Sequence, residues 1–188
     1  MRRRTAADTR EHVLRVARDL FYRDGVRATG VDRVAAEAEV APTTLYRLFA
    51  SKDDLVAAYI EREAHLYREW FTAAVESTPD PRARILAVFD ALTEQVSAPE
   101  CRGCPFLMTL GEFPDNHLPA HQRAVATKTW VHAQFTTLTT ALTPDASHLA
   151  DELFLIMEGV YATTQSQSPE NLARQARTLV DRLLPTPP

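Results

Sequence analysis

Apolar residues recur at intervals of three and four along almost the whole chain, and nowhere does the sequence alternate apolar with polar as a half-buried strand must. That spacing makes nearly every segment an amphipathic helix. Glycine is scarce, at 5 of 188 residues, so few positions suit strained or left-handed backbone. An all-α fold is expected.

Val13, Val16, Ala17, Leu20 and Phe21 mark the inner face of a first helix over 6–23, with Gly25 just past its end and Arg2, Arg3 and Arg4 ahead of it as a basic arm. A short second helix opens at "TGVD", where Thr29 and Asp32 have the spacing of a capping box, and Val31, Val34, Ala35 and Ala38 form its apolar face. After a turn through Glu39, Val40 and Ala41, Pro42 supplies a preset φ for the first turn of a third helix. That helix turns Leu45, Leu48 and Phe49 inward and leaves Thr43, Thr44, Tyr46 and Arg47 outward. Ser51 in "SKDD" caps a long helix carried to about Val75 by Leu55, Val56, Tyr59, Ile60, Leu66, Tyr67 and Trp70. "STPDP" breaks it, and further helical patterns run through Ile85 to Val96, Val131 to Leu142, Leu149 to Tyr161 and Leu172 to Leu183. The segment from Phe106 to Glu112, between two proline-bearing connectors, has room only for a short helix or turn, and the tail "LLPTPP" reads as disordered.

A net charge of −4 argues against a nucleic-acid partner until it is divided by region. Residues 1–52 hold 11 Lys and Arg against 7 Asp and Glu, while 53–188 hold 10 against 18, so a basic head precedes an acidic body. Contact with phosphate depends on the local patch, not on the sum. Two short helices separated by about three residues are the parts of a helix-turn-helix, in which the second helix enters the major groove. Small residues at its front permit close approach. Thr43 and Thr44 are suited to base edges, Tyr46 to a phosphate, Arg47 and Lys52 to the charged rim, and the N–H groups opening the helix at Lys52 to a further phosphate. The candidate DNA contacts are Thr29, Arg33, Pro42, Thr43, Thr44, Tyr46, Arg47 and Lys52. The plainer reading is a three-helix scaffold, but a scaffold gains nothing from holding two threonines, a tyrosine and an arginine on one exposed face.

The stretch "TGVDRVAAEAEVAPTTLYRLFASKDDLVAAYI" resembles the DNA-binding head of TetR-family transcriptional repressors, with Tyr46, Phe49, Lys52 and Leu55 at the family spacing. It departs from the family at Glu39, where the turn usually has glycine. The resemblance implies an N-terminal three-helix head over 1–52, joined by a long helix to a helical body over 53–188 that binds a small molecule and dimerises through its last two helices. Its implied partners are a double-stranded DNA operator, a small-molecule effector and a second copy of the chain.

In the body, Trp70, Phe71, Phe89, Phe106, Met108, Phe113 and Trp130 are core-type residues individually, and as a set they can line an apolar effector cavity, with Glu112, His117 and His121 as candidate polar groups. Gly159 and Ala162 allow close helix approach beside Leu153, Ile156, Leu179 and Leu183, which supports a four-helix contact between two copies. Cys101 and Cys104 have CxxC spacing, but no second CxxC completes a zinc site and no βαβ pattern accompanies a redox pair, so packing by Cys104 is the expectation. A thiol- or metal-sensing regulator using these two cysteines is one alternative function, and a helical interaction module that ignores DNA is another. No glycine-rich phosphate loop, nucleophile–base order or paired acids point to an enzyme, and no metal or cofactor is expected. No apolar run of about 18 residues suggests a membrane span, and with no secretory pattern a cytoplasmic location is expected.

Overall fold

The computed structural model describes residues 5–166 and 168–185, so the arm of Arg2, Arg3 and Arg4 and the last three residues of the tail lie outside the described residues. The described residues form helices and no strand. In chain order the helices are α1 (Ala6–Asp24), α2 (Val31–Glu37), α3 (Pro42–Leu48), α4 (Lys52–Glu76), α5 (Pro81–Ser97), α6 (Pro105–Glu112), α7 (Pro119–Thr140), α8 (Ala146–Thr163) and α9 (Pro169–Leu183). None of them is long and apolar enough to cross a membrane.

Local chemistry sets the helix starts. Thr5 caps α1 through its hydroxyl, which accepts from the Asp8 N–H at 3.1 Å while the Asp8 carboxylate accepts from the Thr5 N–H at 3.0 Å. Ser51 caps α4 by accepting from the Asp54 N–H at 3.1 Å. Helices α3, α5, α6, α7 and α9 each begin on proline, which has no N–H to leave unsatisfied at a first turn. The prolines that read as breaks in sequence are therefore starts as well. Gly25 ends α1 with φ 91°, and its N–H donates to the Phe21 carbonyl at 3.0 Å.

The capping box expected at "TGVD" does not form. Gly30 is the N-cap of α2 and makes no side-chain cap, while the Thr29 hydroxyl donates to the Gly25 carbonyl at 2.8 Å inside the preceding turn. At its other end α2 closes with paired bonds, Val40 N–H to the Ala35 carbonyl at 3.0 Å and Glu39 N–H to the Ala36 carbonyl at 3.1 Å. This closure puts Glu39 at φ 52°, the left-handed conformation that glycine adopts without penalty.

The chain divides into two compact units, Met1–Ala64 with Met108–Val125 and His65–Leu107 with Ala126–Pro188. The division falls within α4, whereas the sequence reading placed it between residues 52 and 53. The reason is that Leu55, Val56, Tyr59 and Ile60 are buried in the first unit, where the Tyr59 ring meets Phe21 of α1 edge-on at 5.5 Å. Val13, Leu14, Ala17 and Leu20 of α1, Val34 and Ala35 of α2, and Leu45 and Phe49 complete that core. Glu63, also buried, bridges Arg18 of α1 at 3.7 Å and Arg62 at 3.5 Å, and Arg62 reaches Glu11 at 2.8 Å. Burial raises the Glu63 carboxyl above its usual range, with the two arginines opposing.

In the second unit α9 packs along both α5 and α8. Arg82 holds Asp181 at 2.7 Å and Arg177 holds Asp90 at 3.0 Å, pinning α5 to α9. Gly103 has φ 101°, and a Cβ there would lie 2.9 Å from Thr164 Oγ1 and 3.1 Å from the Tyr161 carbonyl oxygen, so both backbone and space require glycine.

Replacing Glu39 with glycine should stabilise the protein, because an L-residue in left-handed backbone costs about 1 kcal/mol. Thermal unfolding followed by circular dichroism should show a midpoint roughly 2–4 °C higher for Glu39→Gly. A lower midpoint would mean that the turn carries no strain.

Candidate nucleic-acid interface

Helix α3 has two opposed faces. Leu45 and Phe49 are 1% and 3% exposed, whereas Tyr46 is 48% exposed. Pro42, Thr43 and Arg47 are exposed as well, and Thr44 is half-buried. Leu48, expected inside, is only half-buried. The Ala41 carbonyl accepts from the N–H groups of Thr44 at 2.8 Å and Leu45 at 3.1 Å, which fixes the first turn. From below, the Arg10 guanidinium lies 5.0 Å from the Phe49 ring centre, and the His12 ring nitrogen Nε2 lies 3.0 Å from the Ala38 carbonyl oxygen at the end of α2. Threonine hydroxyls and methyls, a phenol and a guanidinium thus share one surface, a set suited to base edges and phosphates.

The other expected contacts differ in setting. Arg33 is paired with Asp24 at 2.7 Å and keeps about half of its side chain exposed (49%). A hydrogen bond from Arg23, joined by the one from Arg33, holds the Asp24 carboxyl below its usual range. Lys52 donates to the Arg27 carbonyl at 3.4 Å, and an ammonium has three donors, so capacity for phosphate is left. Thr29 is fully buried with its hydroxyl on the Gly25 carbonyl. Its side chain therefore braces the turn and does not share the exposed surface.

Glu112 is the residue whose place the sequence did not reveal. Expected among effector-pocket polar groups, it instead accepts from two successive backbone N–H groups of the turn between α1 and α2. Oε1 takes Val26 N–H at 3.0 Å and Oε2 takes Arg27 N–H at 2.6 Å. Its carbonyl also accepts from Arg27 Nε at 2.6 Å, and the Arg27 guanidinium lies 5.5 Å from the Phe113 ring centre. These partners are 85 and 86 residues apart in the chain, beyond the reach of any local pattern.

Among the seven expected effector residues, the second unit brings together Trp70, Phe71, Phe89, Phe106 and Trp130. Phe71 meets Trp70 at 6.3 Å, Trp130 at 5.5 Å and Phe135 at 5.6 Å, and Phe135 also stacks on Phe89 at 6.0 Å. Tyr67 joins Trp70 at 5.0 Å to Phe106 at 5.6 Å. Met108 and Phe113 belong to the first unit. Beside the rings lies a polar group that the sequence reading did not single out. The buried Lys128 ammonium pairs with Glu158 at 2.6 Å and lies 5.4 Å from the Tyr161 ring centre, and the Tyr161 hydroxyl donates to Gln95 at 2.6 Å. Burial pushes the Tyr67 and Tyr161 hydroxyls well above their usual range.

Cys101 and Cys104 share no disulfide. Cys104 is 2% exposed, and burial raises its thiol above the usual range despite the nearby Lys128. Both cysteines belong to the second unit, and His117 and His121 to the first, where the His121 ring nitrogen Nδ1 lies 2.7 Å from the Phe113 carbonyl oxygen.

Helices α8 and α9 present an open groove of about 570 Å³ lined by Ile156, Gly159, Thr163, Leu172, Ala176 and Leu179. Leu155 and Leu179 are 69% and 47% exposed, and a Cβ added at Gly159 would meet nothing within 4 Å.

Comparison with known proteins places this geometry. Residues 13–59, from the middle of α1 into α4, match the family model for bacterial regulatory proteins of the tetR family. Among curated relatives, the transcriptional regulator TcmR of Streptomyces glaucescens is 32% identical over 106 residues, 55% of this chain and 45% of that protein, so the match spans less than half of TcmR. Among solved structures, SCO4454, a TetR-family transcriptional regulator from Streptomyces coelicolor, is 30% identical with a TM-score of 0.90, covering 94% of each chain. A TetR-type regulator from Streptomyces avermitilis is 31% identical with a TM-score of 0.79, covering 93% of this chain and 97% of that one. With a family-specific head and a likeness that extends through the whole body, the chain belongs to the TetR family of DNA-binding transcriptional regulators.

Proposed function

We propose that this regulator is a cytoplasmic, homodimeric repressor, released from a palindromic operator by a small, largely apolar effector. It regulates transcription and is not an enzyme. The observation that carries the reading is the division of α3, with Leu45 and Phe49 buried and Thr43, Tyr46 and Arg47 exposed on a basic head. Thr43 and Thr44 read base edges, Pro42 permits close approach, Tyr46 and Lys52 hold phosphates, and Arg33 and Arg47 add charge at the rim.

The second copy docks on the α8–α9 groove, where Ile156 and the exposed Leu179 line the opening and Gly159 leaves room for a helix, with the exposed Leu155 elsewhere on α8. The effector enters the second unit among Trp70, Phe71 and Trp130, since Trp70 and Trp130 are half-buried beside the buried Phe71. Helix α4 carries both Lys52 and Trp70, so one continuous element joins the ligand-facing rings to the head. Lys128 and Glu158 supply the adjoining polarity.

Three measurements test this. In a DNA-binding titration, Tyr46→Phe should weaken every duplex about tenfold, the loss expected for a hydrogen bond to a charged group. Lys52→Ala should do likewise and reduce the slope of log affinity against log salt by about 0.9, whereas Thr43→Ala should shift the preferred base at one position. An unaltered protein with a flat salt response overturns the DNA reading.

Sedimentation should show a dimer that Ile156→Asp or Leu179→Asp converts to monomers, with operator half-sites about 34 Å apart or somewhat more. A monomeric unaltered protein overturns the proposed interface.

Compounds found by thermal-shift screening should bind 5- to 150-fold more weakly when operator is saturating, a coupling of about 1–3 kcal/mol. Equal binding with and without operator would mean that the body is not a sensor.

A further inference from the structure

We propose that Glu112 is a positioning residue for DNA recognition: its carboxylate clamps the turn between α1 and α2 and thereby sets the pitch at which α2 and α3 meet the duplex. The inference rests on the DNA-binding reading only in its final readout. Three features of the first unit carry it.

The first is geometry. The turn from Gly25 to Gly30 has no helical ladder of its own, yet its N–H groups at Val26 and Arg27 both end on one carboxylate, at 3.0 Å and 2.6 Å. Bonds to an ionised acceptor are the stronger kind. Gly25 suits the turn, since its φ of 91° is a conformation that L-residues rarely adopt.

The second is that Arg27 is engaged through its backbone N–H, its backbone carbonyl and its side-chain Nε. Its N–H and Nε go to Glu112, and its carbonyl accepts from Lys52 at 3.4 Å. A chain of bonds therefore runs from the end of α6 through one residue, Arg27, to the first residue of α4, a proposed phosphate contact. Arg27 is exposed and basic, and its Nε bond to the Glu112 carbonyl makes its side chain part of the clamp.

The third is what the turn carries. Thr29 closes it with bonds to the Gly25 and Val26 carbonyls, and Gly30 then accepts from Val34 N–H at 3.2 Å to start α2. A helix of seven residues has little stability alone, so its orientation follows the turn that launches it.

The test compares Glu112→Gln with the unaltered full chain. Glutamine keeps the shape but presents a donor NH₂ to one of the two N–H groups. Amide hydrogen exchange in the DNA-free protein should speed by about tenfold or more at Val26 and Arg27 and rise through Val34 to Ala38, while Val13 to Phe21 in α1 stay protected. Operator affinity should fall about tenfold with an unchanged salt slope, and nonspecific duplex affinity should hardly move. Glu112→Asp keeps the charge but is one methylene shorter, and should fall between the two; it serves as the reporter if the glutamine variant does not fold. Unchanged exchange in the variants overturns the clamp. Faster exchange at the turn with unaltered operator affinity overturns its role in recognition. If the unaltered protein binds no duplex, the DNA reading fails, and faster exchange in the variants still supports the clamp.

Discussion

A seven-residue helix does not persist in water, because nucleation is unfavourable and so short a ladder cannot repay it. Both α2 and α3 have that length. They exist because α1 and the first half of α4 supply a core for Val34, Ala35, Leu45 and Phe49, all nearly inaccessible to solvent. Everything asked of the exposed side of α3 follows from that support. Tyr46 and Arg47 can face outward because Leu45 and Phe49 cannot, and the Phe21–Tyr59 contact beneath fixes the two longer helices that do the holding. The head is a single packed object that ends partway along α4.

Much of this was legible in the sequence. Apolar periodicity, with Gly25, Pro42 and Ser51 as end signals, gave the bounds of α1 and α4 and the start of α3 to within a residue or two, since amphipathic segments with caps constrain themselves locally. The opposed faces of α3 were readable for the same reason. Glu39 was recognisable as an awkward turn residue, and its φ of 52° bears that out. What failed were assignments that needed a partner. Thr29 has the spacing of a cap, but a nearer acceptor, the Gly25 carbonyl, claims its hydroxyl. Pro42 was readable as a helix start, but Pro81, Pro105 and Pro119 hid theirs in stretches that look like breaks.

Long-range partners were invisible. Glu112 looks like any acid at a helix end until its carboxylate is found on Val26 and Arg27. Met108 and Phe113 share the apolar character of Trp70 and Phe71, yet they belong to the other unit, because composition says nothing of where the chain folds back. The Lys128–Glu158 pair was equally hidden, as a lysine and a glutamate 30 residues apart read as solvated charges. Lys128 is instead buried beside aromatic rings with the half-buried Glu158 carboxylate 2.6 Å away, so removing Glu158 would leave the lysine without that partner.

The two thiols have a consequence of a different kind. A thiol reacts as its thiolate, and Cys104 is both enclosed and held protonated by its surroundings. An alkylating reagent meets it only when the second unit opens, so the rate of its labelling is a clock for that opening. Cys101, three residues earlier in the same connector, is only half-buried. One short segment thus carries a partly accessible thiol and an interior timer, and mass spectrometry of a peptide that holds both would read them at once.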